Sequence, residues 1–346
     1  MACLFSAVVF SQDVRTTING YGHLDFGMEK HEDSDLDSYL SIGEHNLFIN
    51  SVFKHNISFL GEFTIQFSSL SPISFLTAIK RARLKFQYYN NHSIIVGKIN
   101  TPVNYWNDVY HYGRLFFPTI QRPDALSYFT PIHTLGVRLQ GQNLGKYNFG
   151  YDVVVGSGLS QNDNSIKLNV EPSLTVATHI KPVEGMRIGM AYYYNFLSDA
   201  STNTSHLMHA SCDQCVGYKG ELAFHMVNAS IAYFSDKFEL LNEFSYNGSY
   251  TDTMGLANNF SNYLYGGVRI KDKYVPYLAV DMIFVNEKDL HVGSFNSSRF
   301  IMGYKHEFSI NFNIKTQLEY NFNIDEITHN IYSNKFGLKI QCSYGF

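Results

Sequence analysis

No stretch of this 346-residue chain approaches the roughly 18 consecutive apolar residues that a membrane-spanning helix requires. Charge is scarce too: Asp, Glu, Lys and Arg together are 16% of the residues, against about 25% in an average soluble domain. The balance of 26 basic and 30 acidic residues gives a net charge of -4, and no basic stripe has the spacing of a nucleic-acid motif. Cysteine is sparse, at four residues, which suits an exported protein. There is no G-x-S-x-G elbow, and Ser and His form no pattern that would place a nucleophile beside a base. Glu62, with Glu44 and His45, is the nearest approach to an acid–base group and is more simply read as wall lining.

Aromatics take the place of charge. The chain has 28 Phe and 25 Tyr but a single Trp, and its mean hydropathy is still slightly negative. That combination suits strands that are apolar on one face only. Residues 57–67 show it directly: Ile57, Phe59, Gly61, Phe63 and Ile65 alternate with Ser58, Leu60, Glu62, Thr64 and Gln66. In 78–88, Ala82, Leu84, Phe86 and Tyr88 alternate with Arg81, Arg83, Lys85 and Gln87. A transmembrane strand needs about 9–11 residues of this kind.

The alternation predicts an all-β, antiparallel, up-and-down transmembrane barrel of about sixteen strands. The strands fall near 15–27, 38–53, 57–69, 77–89, 92–99, 134–142, 146–157, 167–180, 184–197, 217–235, 237–250, 260–270, 274–285, 297–305, 307–321 and 332–346. Tight connections, among them Asn90-Asn91 and His306, alternate with longer ones at 28–37, 70–76, 100–133, 158–166, 198–216, 251–259, 286–296 and 322–331. Short turns on one rim and long loops on the other are the asymmetry of an outer-membrane barrel. Tyr88, Tyr89, Tyr192–Tyr194, Phe196, Tyr233, Phe234, Tyr263, Tyr265, Tyr274 and Tyr277 are candidates for aromatic girdles at the two interfaces. Half of them could equally be the aromatics that any strand favours.

Both ends of the chain carry expectations. The apolar run Cys3–Phe10 reads as the end of a signal peptide with a cut between Ser11 and Gln12, leaving one barrel domain over 12–346; a buried N-terminal strand is the alternative. At the other end Phe336, Leu338, Ile340, Cys342, Tyr344 and Phe346 alternate with Lys335, Gly337, Lys339, Gln341, Ser343 and Gly345. This resembles the terminal strand of Gram-negative outer-membrane proteins, whose last aromatic is recognised by the barrel-assembly machinery. The resemblance makes Phe346 the assembly signal, and its deletion is expected to impair insertion.

Arg81, Arg83 and Lys85 share one strand face, and Lys98 on the next strand could join them. A Lys or Arg facing lipid at the midplane costs about 2–4 kcal/mol, so this face is expected to line the lumen. There it either raises the local anion concentration or pairs with loop acids to hold the barrel together.

The stretch 100–133 is irregular, aromatic and long for a connection, and it holds Tyr105, Trp106, Asp108, Arg114, Arg122 and Asp124. The strand leading into it reads Gly97-Lys98-Ile99-Asn100-Thr101-Pro102, and Gln121-Arg122-Pro123 follows later. These residues resemble the Gly-basic-x-x-x-Pro and Glu-Arg stretches of porins related to the phosphate- and polyphosphate-selective group. Gln121 stands where an acid is usual and there are no stacked lysine sets, so phosphate specificity does not carry over. The resemblance implies a sixteen-stranded homotrimeric porin in the outer membrane whose third long loop folds inward and narrows the pore, with no cofactor. Asp108, Arg114 and Arg122 are then lumen charges, while Tyr105 and Trp106 serve loop packing; Asp108 with Arg114 could instead be a loop-stabilising pair.

Loop 198–216 holds His206, His209, Cys212 and Cys215, a weak candidate for a metal site by type and spacing. A Cys212–Cys215 disulfide has the larger claim, and two free thiols are a third reading. Passive diffusion of small hydrophilic solutes or ions through the barrel is the leading functional expectation, with no enzymatic activity. An outer-membrane barrel enzyme of the lipase or protease type, or a plugged adhesive barrel, is the alternative.

Overall fold

The computed structural model describes residues 14–31, 35–54, 56–67, 75–109, 117–160, 171–200, 220–292, 296–324 and 331–346. The expected signal segment 1–11, Arg114, and the His206, His209, Cys212, Cys215 group lie outside the described residues.

Sixteen strands close into one antiparallel barrel, each pairing with its sequence neighbours and β1 with β16. They are β1 (Arg15–His31), β2 (Asp37–Lys54), β3 (Ile57–Phe67), β4 (Phe75–Tyr89), β5 (His92–Asn100), β6 (His133–Leu144), β7 (Phe149–Gly156), β8 (Ser173–Ile180), β9 (Met186–Leu197), β10 (Leu222–Phe234), β11 (Phe238–Thr251), β12 (Gly255–Val268), β13 (Tyr274–Phe284), β14 (Asn296–Ser309), β15 (Phe312–Ile324) and β16 (Ile331–Gly345). Closure leaves no unpaired strand edge, the condition for a sheet to sit in hydrocarbon. Two five-residue helices, α1 (Tyr105–Val109) and α2 (Asp124–Tyr128), lie in the connection between β5 and β6.

Some connections differ from the sequence reading. The expected long loop 251–259 is a turn of Asp252–Met254, because β12 begins at Gly255. Asn258 and Asn259 look loop-like in sequence, yet Asn259 is an inward strand position, buried and polar. The turn expected at His306 lies instead at Ile310-Asn311, since β14 continues to Ser309. There the His306 ring stacks on Phe308 at 4.0 Å between centroids, extending the strand's aromatic edge.

The outer surface follows the alternation. Leu84, Val96, Leu264, Leu278, Phe300 and Met302 are all exposed, as a lipid-facing band requires. Leu278, at mid-strand and 63% exposed, faces Gly266 and Met302 across its two ladders. Leu278→Arg should therefore lower the unfolding free energy in vesicles by about 2–4 kcal/mol, read from urea transitions, with the fold retained at low urea.

The lumen face does not follow a simple polar rule. On β13 the inward set is Val275, Tyr277, Ala279, Asp281 and Ile283, all buried. On β10, Leu222, Phe224 and Met226 point inward, and on β12, Tyr263 and Tyr265. These strands are apolar on both faces because a loop packs inside the barrel against them. That corrects part of the girdle reading: Tyr193, Tyr263, Tyr265 and Tyr277 are 0–3% exposed and lie in two interior clusters, Tyr193 in one and the other three, with Phe234 packed beside them, in the second. Tyr88, Tyr89 and Tyr192 do face outward and are exposed.

Candidate functional site: the inward loop and its basic wall

Chain geometry at the end of β5 sends the loop into the lumen. Gly97 has φ +125°, and a Cβ there would sit 2.2 Å from the Ala82 carbonyl oxygen, so only glycine serves at this position. Asn104 takes φ 66°, a left-handed conformation that Asn tolerates. Its side chain donates to Ser245 Oγ on β11 at 3.1 Å and accepts from Thr130 Oγ1 at 2.6 Å, tying both arms of the loop to the far wall.

The loop then crosses the barrel. The Trp106 backbone N–H donates to Glu243 of β11 at 3.1 Å. The indole meets Phe117 edge-on at 4.2 Å and Tyr263 at 6.0 Å. Phe117 in turn lies 4.6 Å from Tyr265. Further along, the Ile120 N–H donates to Gln317 of β15 at 3.0 Å, and the Asp124 N–H to Asp281 of β13 at 2.8 Å. Arg299 of β14 gathers this second half: it donates to Gln121 Oε1 at 2.7 Å and to the Arg122 carbonyl at 3.0 Å, and pairs with Asp281 at 2.6 Å and Asp124 at 2.9 Å. The loop is thus folded inward, and it fills the lumen on the β10–β15 side.

Asp108 fastens α1 to the opposite wall. Its carboxylate pairs with Arg187 of β9 at 2.6 Å and with Arg138 of β6 at 3.3 Å, while Arg138 also holds Asp152 of β7 at 2.7 Å. The Arg187 guanidinium lies 5.3 Å over the Tyr105 ring, within cation–π range. Burial alone would raise the Asp108 pKa, but Arg138 and Arg187 outweigh it and hold the carboxyl below its ordinary value. A carboxyl depressed in the folded state stabilises above its unfolded pKa of about 3.9 and loses that contribution as pH falls through the folded value. Acidification below the ordinary carboxylate range should therefore loosen α1 and widen the pore, seen as conductance that climbs as pH falls through the depressed Asp108 value, a rise that Asp108→Asn abolishes.

Open space remains along the basic wall. One cavity, about 780 Å³, is lined by Arg81, Arg83, Arg138, Lys146, Lys181 and Arg187 against two acids among the described residues, Asp108 and Glu184. A second, about 530 Å³, shares Arg83 with the first and adds Lys85, with no acidic side chain among the described residues of its lining. A third, about 510 Å³, lies under Phe117 and Pro118 at the turn rim of β10–β15. It mixes Asp236, Glu239, Asp272 and Glu307 with Arg269 and Lys305. Most of that charge is internally paired: Arg269 with Glu239 and Glu307 at 3.0 Å each, and Lys305 with Glu307 at 2.6 Å.

The structure brings the expected basic set together only in part. Arg81 pairs with buried Glu62 at 2.6 Å, opposite a register shift where Lys80 is the extra residue. Arg83 and Lys85 line the cavities and make no ion pair or side-chain hydrogen bond among the described residues. Lys98 is buried, in register with Ala82 and Leu135, and lines neither basic cavity. Arg122 acts electrostatically on Glu62 and His133. The Phe346 ring borders Gly20 on the outer face, and its backbone exchanges two hydrogen bonds with Gly20 at 2.9 Å each. The Glu62–Glu44–His45 group is not assembled: Glu62 is paired with Arg81, and His45 meets the Tyr344 hydroxyl at 2.8 Å on the outward face.

Arg138, Asp152, Arg187, Asp281 and Arg299 were not singled out in the sequence. The signal was there. Each is a lone charge between residues of a strand, as in Val137-Arg138-Leu139 and Val280-Asp281-Met282, and such a charge must face the lumen.

No protein-family model and no curated protein matches the chain. Solved structures do. The anion-selective porin from Comamonas acidovorans superposes with a TM-score of 0.68 at 10% identity, over 96% of this chain and 100% of that one. The outer membrane channel DcaP of Acinetobacter baumannii gives 0.65 at 13% identity, over 97% and 98%. A trimer form of OmpT, an outer membrane protein of Vibrio cholerae, gives 0.62 at 11% identity, over 96% and 99%. At these identities the likeness is one of fold: the chain has the closed sixteen-stranded fold of bacterial outer-membrane barrels.

Proposed function

We propose that the protein is a passive-diffusion porin of the bacterial outer membrane that admits small hydrophilic solutes and prefers anions. One observation carries the reading. The loop closes the β10–β15 half of the lumen, and the space left beside it runs along Arg81, Arg83, Lys85, Arg138 and Arg187. Fixed positive charge in a narrow aqueous path concentrates anions and repels cations. The constriction is the loop segment of α1, held from two walls by Glu243, Arg138 and Arg187. Reconstituted in a planar bilayer, the protein should show open steps in KCl and, across a KCl gradient, a reversal potential favouring chloride. A potential favouring potassium would refute the anion preference, and the absence of steps would refute the pore.

The porin reading is preferred to the barrel enzyme because the lumenal carboxylates around the open path, Glu62, Asp108 and Asp152, are each engaged in an ion pair with an arginine. The kinship with phosphate- and polyphosphate-selective porins rests on Gly97-Lys98 and Pro102, the first of which has a backbone reason here. Homotrimerisation has support in the trimer form of the Vibrio cholerae neighbour. Recognition of Phe346 by the assembly machinery belongs to the same reading.

A further inference from the structure

The lipid-facing band carries an amide pair on two neighbouring strands, inside the strands rather than at their ends. Asn242 of β11 and Asn262 of β12 point outward, the first between Leu240 and Phe244, the second between Phe260 and Leu264. Those four neighbours are 41–44% exposed, which places both half-buried asparagines among side chains that face hydrocarbon. The two lie diagonally across one ladder, since Asn242 is in register with Leu264 and Asn262 with Phe244. Three other outward polar contacts close on themselves. His225 meets the Tyr192 hydroxyl at 2.8 Å, His45 meets that of Tyr344 at 2.8 Å, and the Tyr246 hydroxyl donates to Asn258 at 2.7 Å.

The asparagine pair closes only in part. Asn242 Nδ2 donates to Asn262 Oδ1 at 3.2 Å and to the Tyr263 carbonyl at 3.1 Å, while Asn262 Nδ2 donates to the Glu243 carbonyl at 3.3 Å. Each Nδ2 carries two hydrogens. One N–H of Asn262 and the Oδ1 of Asn242 therefore have no partner among the described residues. An amide group without a hydrogen-bond partner is strongly disfavoured in hydrocarbon. Asparagine is also too short to snorkel to the headgroups as Lys or Arg does.

We infer that the outer face of β11 and β12 is where a second copy of this chain docks. The patch is self-complementary: it offers one donor and one acceptor side by side. Around a rotation axis each copy gives the Asn262 N–H and receives at Asn242 Oδ1, so every copy in a closed ring is satisfied by the next. Acyl chains offer neither group. Between membrane helices, too, polar side chains join segments that hydrophobic contact alone does not favour over lipid. Leu240, Phe244, Phe260 and Leu264 supply the packing around the bond. The same wall holds the loop from within: the Glu243 carbonyl accepts from Asn262, and its carboxylate accepts from the Trp106 N–H. Docking outside thus braces the strand that anchors the constriction inside. The inference rests on the homo-oligomer reading and gives it a face; it does not depend on which ions pass.

The test puts a photo-crosslinking phenylalanine (p-benzoyl) in place of Leu264 on this face, and in a second variant in place of Leu84 on the outward face of β4. Both are made in the full chain and irradiated in the outer membrane, with the adducts identified by mass spectrometry. The Leu264 position should link the chain to itself, and the Leu84 position should not. Light scattering of the unaltered protein in mild detergent gives the oligomer independently. Asn242→Leu together with Asn262→Leu should raise the concentration at which half of that oligomer dissociates by about tenfold, the equivalent of roughly one hydrogen bond per contact. Self-adducts at Leu84 as strong as those at Leu264, or an oligomer that the double variant does not weaken, would overturn this face and leave the homo-oligomer standing. Adducts of Leu264 with lipid alone or with a different protein would overturn the second copy as the occupant. A monomer at every concentration would overturn the homo-oligomer and the face together. If the double variant fails to insert, the comparison of the two crosslinking positions still decides.

Discussion

Excision of residues 104–119 should raise single-channel conductance severalfold while the barrel stays closed. The segment contains α1, whose Trp106 and Tyr105 pack on the β10–β12 wall and whose Asp108 reaches the opposite arginines. It therefore spans the lumen from wall to wall, and its removal joins the basic cavities to the space above Tyr263 and Tyr265. Closure does not depend on it, since the β5–β6 ladder from His92 to Asn100 and the Thr101–Ile132 backbone bond at 3.0 Å lie outside the cut. Stability should fall by several kcal/mol, because burial of Trp106 and Phe117 contributes about 1.5–3 kcal/mol each. Conductance and heat-induced unfolding on gels measure the two effects separately. An unchanged conductance would mean that current bypasses the loop.

The second large effect is expected at Arg299. Its guanidinium holds Asp281, Asp124, Gln121 and the Arg122 carbonyl, and its side chain is 9% exposed beside an Asp281 that is 1% exposed. Arg299→Ala strands a buried carboxylate and releases the second half of the loop. Removing one partner of a buried pair costs about 3–5 kcal/mol, most of it the penalty on the abandoned charge. Arg299→Ala should thus lose that much stability in urea unfolding and show noisy, enlarged conductance. The double variant Arg299→Ala with Asp281→Ala should recover part of the stability but not the loop's position, because Asp281 also accepts the Asp124 N–H at 2.8 Å. Recovery of both would make the pair a wall element unrelated to the loop.

The lipid-facing half of the fold was legible residue by residue. Ile57 to Gln66 and Arg81 to Tyr88 alternate so regularly that strand, face and charge direction follow from steric alternation alone. Legibility failed where that regularity was broken from inside. β13 reads Val-Pro-Tyr-Leu-Ala-Val-Asp-Met-Ile-Phe with apolar residues on both faces, because lipid covers one and the loop covers the other. Residues 255–259 looked like loop for the converse reason: a polar residue, Asn259, sits on the buried lumen face. Within the candidate site, Trp106 as a packing anchor and Asp108 as a lumen charge could be singled out, but their partners Glu243, Arg138 and Arg187 could not.

The sequence by itself determined a transmembrane barrel, its strand number, the inward face of Arg81, Arg83 and Lys85, and the address of the irregular segment after Gly97. Those properties depend on local period and on the cost of charge in hydrocarbon, both readable within one strand. Tertiary structure decided which half of the lumen the loop fills, which arginines are neutralised and which stay open to solute. Those depend on contacts such as Ile120 with Gln317 and Trp106 with Glu243, between residues far apart in the chain. Only the register and closure of the barrel bring such residues within reach of each other.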